Sequence, residues 1–141
     1  EKAVLAECSR HYIVRTSWLF GPGGNNFVDT MVRLGIERDN LRIVGDQIGS
    51  PTYTMDLCEA VMNKLIRAEF GIYHITSSGT TSWCDFAREI FEIRGISVKV
   101  EEIVSEQYPT PAKRPKNSVL LGSRMDFAMR DWHEALRVYL A

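Results

Sequence analysis

The segment Tyr12–Phe27, which reads YIVRTSWLFGPGGNNF, decides the fold class of the chain. Its first half is rich in β-branched and aromatic residues with little polar interruption, which predicts a strand buried on both faces, as in parallel sheets. The glycines and proline at residues 21–24 end that strand, and Asn25 or Asn26 can cap a following helix. In open α/β sheets, ligands bind beyond the carboxyl ends of such strands.

Helical and extended patterns alternate along the rest of the chain, which predicts an α/β fold with an incomplete parallel sheet and flanking helices. We treat residues 1–141 as a single unit, with a proline-containing loop over residues 105–125. Thr54 and Ser82 are predicted helix caps, and Gly95 suits a left-handed helix end. The predicted helices are 2–10, 26–38, 55–68, 83–94 and 130–140, and the predicted strands are 12–20, 41–45, 71–76 and 98–104.

Composition narrows the function classes. The chain has 141 residues, 45% hydrophobic and 25% charged, with a formal net charge of -1, which argues against a nucleic-acid or anionic-membrane binder. No apolar run approaches the roughly 20 residues of a membrane span. Cys8, Cys58 and Cys84 are odd in number and far apart, as expected in the reducing cytoplasm. Neither cysteines nor histidines have the spacing of metal ligands, so we predict no metal site.

The glycine loop resembles a dinucleotide-binding fingerprint only in part. Gly21 and Gly23 match the first two glycines of G-x-G-x-x-G, but the third position is Asn26. The third glycine of that motif lets helix and strand pack closely, which asparagine cannot do, so we reject the fingerprint. Two interpretations remain: a tight turn before a capped helix, or an Asn26 amide offered to a ligand's phosphate or sugar at the helix N-terminus.

Trp18 also has two interpretations. Large aromatic residues mostly stabilise a protein by burial, which would make it a core residue. It stands, however, at the carboxyl end of a predicted strand just before a glycine loop. An indole in that place can stack on a sugar or a base and donate one hydrogen bond.

Two polar loops are further candidates. The loop Asp46–Thr52 can be a simple connection, or it can present the amide of Gln47, the hydroxyl of Thr52 and the rigid wall of Pro51 to a ligand. The basic run at residues 113–116 can be a solvated face, or it can hold a diphosphate through the guanidinium fork of Arg114.

Several segments, in order over nearly the whole chain, resemble the C-terminal part of dTDP-4-dehydrorhamnose reductases, a family of extended short-chain dehydrogenases/reductases. The blocks DQIGSPT at residues 46–52 and AKRP at residues 112–115 are the specific ones, and RTSW at residues 15–18 adds to them. The other resembling segments are 24–27, 53–57, 71–74 and 130–132.

The resemblance implies reduction of the 4-keto group of dTDP-4-dehydro-L-rhamnose by NADPH or NADH, with a proton from the tyrosine of a Y-x-x-x-K helix. This sequence has neither that motif nor the family's glycine fingerprint, and it starts at Glu1 within a helical pattern. We therefore expect a fragment: the sugar-nucleotide-binding portion, inactive alone and not binding the cofactor tightly, without its N-terminal Rossmann half. The alternative is a non-catalytic regulatory or scaffolding subunit on the same fold.

The resemblance also assigns individual residues. None is expected to be catalytic, and Thr16 and Ser17 would approach the nicotinamide with main-chain groups. Trp18 would stack on the sugar, and Arg114 would bind the diphosphate. The remaining substrate-binding residues would be Asn26 at the nucleotide sugar and Gln47, Pro51 and Thr52 around the thymine or deoxyribose.

Unpaired strand edges predict self-association. The predicted strands 12–20 and 71–76 would pair with strands of the Rossmann half in a complete sheet. Without them, backbone and apolar faces are left open. We therefore expect a homo-oligomer formed by edge pairing or segment exchange, or aggregation.

Overall fold

The computed structural model describes residues 1–112, 114–121 and 129–141. Lys113 and residues 122–125 of the predicted 105–125 loop lie outside the described residues, as do residues 126–128. None of the described helices is long and apolar enough to cross a membrane. Helices alternate with short strands, which confirms the α/β class. The elements are α1 Lys2–Glu7, β1 Tyr12–Arg15, β2 Leu19–Phe20, α2 Phe27–Glu37, β3 Asn40–Val44, β4 Ile48–Gly49, β5 Thr52–Tyr53, α3 Thr54–Asn63, β6 Gly71–His74, β7 Thr81–Ser82, α4 Trp83–Arg94, β8 Lys99–Ile103 and α5 Trp132–Leu140, with 3-10 turns at Leu65–Arg67 and Ser105–Gln107.

The described strands pair two by two, and three of the four pairs are parallel. Strand β1 pairs with β6, so that Tyr12 lies opposite Gly71 and Arg15 opposite His74. Strand β2 pairs with β5, and β3 pairs with β8. The antiparallel pair is β4 with β7. The predicted loop Asp46–Thr52 therefore contains β4 and the first residue of β5, which tie it to the rest of the fold.

The larger core lies between α2, α4, α5 and strand β3. Helix α4 lies at the centre of this core, because one face of the helix is buried. Burial of each large apolar side chain contributes about 1.5–3 kcal/mol. The buried residues of α4 are Cys84, Phe86, Ala87, Ile90 and Phe91.

A smaller core joins α3 to strands β1 and β6. Ala60 and Leu65 pack on Tyr73 and Ile75, and Met129 closes the cluster. The chain from Thr16 to Phe20 connects β1, which packs on the smaller core, to Phe20 in the larger core.

Three of the predicted helix ends are confirmed. The Asn26 carboxamide accepts a hydrogen bond from the Asp29 amide at 3.0 Å, which caps α2. The Ser82 hydroxyl accepts one from the amide of Asp85 at 3.0 Å, which caps α4. Helix α4 then ends at Gly95 in the left-handed conformation, with φ 61°.

The predicted cap at Thr54 is wrong. Helix α3 begins at Thr54 itself, after Tyr53, and Tyr53 forms no capping bond through its side chain. The Thr54 side chain instead packs on the backbone of Gly21, where an added Cβ would lie 1.9 Å from the threonine hydroxyl oxygen. Gly21 is therefore needed for this close approach.

The single predicted strand over residues 12–20 is also wrong. It is broken into β1 and β2 at Trp18, whose φ of 47° lies in the left-handed region. Strand β1 is not buried on both faces either, because only Ile13 of its four residues is buried. The bend turns the Trp18 indole towards α4.

Gly35 marks the closest approach of α2 to α4. A Cβ at this position would lie 2.7 Å from Phe91 Cε1 and 3.0 Å from Ile96 Cγ2. Alanine favours a helix over glycine by about 1 kcal/mol, but overpacking a core costs about 1–3 kcal/mol. We expect Gly35→Ala to lower the free energy of unfolding in urea by about 1 kcal/mol.

Gly24→Ala is the matched control, because a Cβ there meets nothing within 4 Å. A Gly35→Ala protein that is as stable as the unaltered chain would contradict the tight packing of α2 on α4.

Candidate functional site

Two stacked indoles form one end of the candidate site. The rings of Trp18 and Trp83 lie 3.6 Å apart between centroids and 9° from parallel. Phe27, the first residue of α2, lies against Trp83 with a centroid distance of 4.6 Å. The bend after β1 and the first turns of α2 and α4 therefore meet in one aromatic cluster.

The Trp18 ring is held in place by Ser118, which is 100 residues away in the sequence. Its Nε1 donates to the Ser118 hydroxyl at 3.0 Å, and that hydroxyl donates to the Ile48 carbonyl at 3.1 Å. Gly49 lies directly against the ring, because a Cβ there would be 2.3 Å from Trp18 Cε2. The indole predicted to stack on a sugar is thus already stacked on Trp83, and its one donor is already used.

A cleft of about 730 Å³ opens next to this cluster. Helix α2 and strand β3 form one wall, and Trp83 and the segment after β8 form the other. Small-molecule sites are typically about 300–1,000 Å³ and mostly apolar, with a few polar groups. The residues with the chemistry to hold a ligand there are Phe27, Gln47, Trp83, Tyr108, Thr110 and Arg114.

A second cavity of about 710 Å³ continues from the first. The two share Gln47, Tyr108, Thr110 and Arg114 in their walls. Together they form one groove between the loop after β3 and the proline-containing segment, so Gln47 and Arg114, far apart in sequence, are brought to the same site.

Three arginine side chains bring positive charge to the cleft. Arg38, Arg42 and Arg114 all line it, and Arg114 is exposed. Arg42 is partly neutralised by Glu101, whose carboxylate lies 3.4 Å away on the neighbouring strand β8. The cleft therefore favours an anionic ligand with an aromatic or sugar part.

The loop that carries Gln47 is anchored by its neighbour. Asp46 Oδ1 accepts hydrogen bonds from the Ser105 amide at 2.8 Å and the Ser105 hydroxyl at 2.6 Å. The hydroxyl bond is the main reason that the pKa of Asp46 is lowered, and Lys116 adds to it from 3.4 Å. Gln47 Nε2 donates to the same Ser105 hydroxyl at 2.9 Å, which sets the side chain at the rim of the cleft.

The structure places the Asn26 amide in an internal network. Its Nδ2 donates to the Gly21 carbonyl at 3.0 Å, to Asp29 Oδ2 at 2.8 Å and to the Tyr139 hydroxyl at 3.1 Å. Its oxygen caps α2. These bonds occupy the amide, so Asn26 shapes the start of the cleft wall from behind.

Pro51 and Thr52 lie inside the fold. Thr52 is 0% exposed, and Pro51 is among the fully buried side chains. The Thr52 hydroxyl donates to the Ser50 carbonyl at 3.2 Å and accepts from the Ser77 amide at 3.4 Å. Neither side chain lines the cleft, and their predicted ligand contact stays a prediction.

Thr16 and Ser17 follow directly on strand β1. The Ser17 hydroxyl donates to the Ser50 carbonyl at 3.0 Å. The Thr16 hydroxyl is buried, and no residue of the described ranges forms a hydrogen bond with it. A buried hydroxyl without a partner is uncommon in folded proteins.

Trp83 is the functional candidate that sequence reasoning missed. It is half-buried, lines the cleft and stacks on Trp18. The available signal was a tryptophan in the first helical turn directly after the Ser82 cap. It was overlooked because that position is also compatible with ordinary core packing.

The site offers neither a metal centre nor an activated thiol. Within residues 1–112, 114–121 and 129–141, no group of three or more His, Cys, Asp or Glu side chains could hold a metal ion. Cys84 is buried beside the cleft, and burial raises the pKa of its thiol to about 11. The thiol is therefore protonated and inert at neutral pH.

Known proteins resemble the chain over its whole length. The family model of the RmlD substrate binding domain matches residues 1–141. The spore coat polysaccharide biosynthesis protein SpsK of Bacillus subtilis is 47% identical over 131 residues, which are 91% of this chain and 46% of that protein. The chain thus spans about half the length of the curated relatives it matches.

Solved structures show the same family resemblance. A dTDP-4-dehydrorhamnose reductase from Clostridium acetobutylicum superposes with a TM-score of 0.92 at 45% identity, covering 99% of this chain and 51% of that one. The Bacillus anthracis dTDP-4-dehydrorhamnose reductase, solved in complex with NADP, gives a TM-score of 0.90 at 40% identity. The match covers 99% of this chain and 50% of that one. These likenesses confirm the predicted fold class and family resemblance: the chain belongs to the RmlD substrate binding domain family.

Proposed function

We propose that this chain is the sugar-nucleotide-binding portion of an NAD(P)H-dependent dTDP-4-dehydrorhamnose reductase, which converts dTDP-4-dehydro-L-rhamnose to dTDP-L-rhamnose. The observation that carries the proposal is the cleft that joins an aromatic wall to arginine side chains. Family membership and the names of the relatives support the choice of substrate.

The two halves of a nucleotide need different chemistry, and the cleft supplies both. A thymine base is flat and apolar on its faces, which suits packing on Phe27, Trp83 or the exposed ring of Tyr108. A diphosphate carries negative charge that a guanidinium can meet with two parallel hydrogen bonds. We assign that role to Arg114, and the rim amide of Gln47 to the base or the deoxyribose.

Catalysis would need groups that this sequence does not contain. It has no Y-x-x-x-K motif and no G-x-G-x-x-G motif, and its relatives are about twice as long. We assign hydride and proton donation to the part of those relatives that the chain does not cover. The contribution of this chain is to bind the sugar nucleotide and orient its keto carbon.

Thr16 and Ser17 are proposed to border the cofactor. When bound, NADPH or NADH would supply the hydride. The Thr16 hydroxyl, buried without a partner among the described residues, fits a site that a further polar group completes. Ser17 is held by the Ser50 carbonyl, which leaves its main chain to define the distance to the nicotinamide.

Binding of dTDP tests the ligand assignment. We expect the chain to bind dTDP in calorimetry and Arg114→Ala to weaken binding about tenfold, because a charge-assisted hydrogen bond contributes about 1.5–3 kcal/mol. Arg33→Ala is the matched control, since Arg33 is exposed on α2, pairs with Glu37 and does not line the cleft. Absence of dTDP binding by the unaltered chain would refute the proposal.

A chimera tests the enzymatic role. The chain would replace its matching half in the Clostridium acetobutylicum reductase, which it resembles at 45% identity. We expect this chimera to reduce dTDP-4-dehydro-L-rhamnose with NADPH, and the 141-residue chain alone to show no turnover. A folded chimera that binds dTDP but does not turn over would contradict the enzymatic role and favour a non-catalytic subunit.

A further inference from the structure

The hydroxyl of Tyr139 contacts residues that lie more than 100 positions earlier in the sequence. Tyr139 lies near the end of α5, and its oxygen is 2.8 Å from Asp29 Oδ1 and 2.9 Å from Asp29 Oδ2. It accepts a hydrogen bond from Asn26 Nδ2 at 3.1 Å, and the Gly21 carbonyl lies 3.3 Å away. One hydroxyl thus joins the C-terminal helix to the glycine loop and the start of α2.

The hydroxyl has a task separate from that of its ring. The ring packs against Phe20 and Tyr53, with centroid distances of 5.7 and 5.8 Å, and a phenylalanine would keep both contacts. Partial burial raises the pKa of Tyr139, so the phenol stays protonated at neutral pH. It therefore donates to Asp29 and accepts from Asn26, and both partners are fixed.

Asn26 and Asp29 lie at the cap of α2 and in its first turn, and α2 forms one wall of the cleft. Asn26 is the cap of α2, and Phe27 follows it directly. Phe27, Thr30, Met31 and Leu34 of α2 all line the cleft. Because Phe27 also contacts Trp83, a rotation at the first turn of α2 would displace the aromatic wall on both sides.

We propose that Tyr139 is a positioning residue for nucleotide binding: its hydroxyl fixes the capped N-terminus of α2, and with it Phe27 and the aromatic wall. This inference rests on the proposed function of the cleft. Tyr139 itself does not line the cleft, so it acts through Asn26 and Asp29 and not by touching the ligand.

The test compares dTDP affinity with stability in single and double variants of the chain. We expect Tyr139→Phe to weaken dTDP binding about fivefold, because the hydrogen bonds of the phenol with Asp29 and Asn26 are lost, while circular dichroism stays unchanged. Asp29→Asn should weaken it similarly. Because the two side chains act as one unit, the double variant should bind more tightly than the product of the two single losses predicts.

Tyr12→Phe is the control for loss of a tyrosine hydroxyl. Its phenol donates to the Ala68 carbonyl at 2.9 Å in the smaller core, away from the cleft, so dTDP affinity should not change. A Tyr139→Phe protein that loses thermal stability but binds dTDP like the unaltered chain would overturn the positioning role alone. An unaltered chain that does not bind dTDP would overturn the proposed function, and this inference with it.

Discussion

The stack of Trp18 on Trp83 is the contact on which the arrangement of the site depends. It joins the bend between β1 and β2 to the first turn of α4. The left-handed φ of Trp18 costs roughly 1–3 kcal/mol, while an aromatic pair adds about 0.5–1.5 kcal/mol beyond burial and a hydrogen bond to Ser118 contributes a similar amount. The strained backbone is thus held in place by contacts made on the indole, and Gly49 leaves the space that this ring needs.

The proposed ligand groups differ in how firmly they are held. Trp83 and Phe27 stand on helices that are packed in the larger core, so the aromatic wall is rigid. Arg114 stands on an exposed loop, and the residues after it are tied to β4 by the hydrogen bonds of Ile48 with Lys116 and Ser118. This arrangement combines a preformed apolar surface that suits a flat ring with an exposed cation that suits a charged group.

Three of the helix ends could be predicted from the sequence, whereas the cap at Thr54 and the contacts between distant residues could not. The caps at Asn26 and Ser82 and the helix end at Gly95 depend on neighbours within four residues, and all three are confirmed. The bend at Trp18 depends on Ser118, which is 100 residues away, so an apolar run alone predicted an unbroken strand. Polar residue type suggested ligand contact for Thr52, but its burial follows from packing that a linear pattern does not encode.

We propose that the paired indoles of Trp18 and Trp83 border a nucleotide site. The chain has three tryptophans, so their indole N–H signals can be followed individually by NMR while dTDP is added. We expect the Trp18 and Trp83 signals to shift together in a saturable way, while that of Trp132, which is 3% exposed in the larger core, stays in place. Saturable binding of dTDP that leaves the Trp18 and Trp83 signals unmoved would contradict a nucleotide site beside these two indoles.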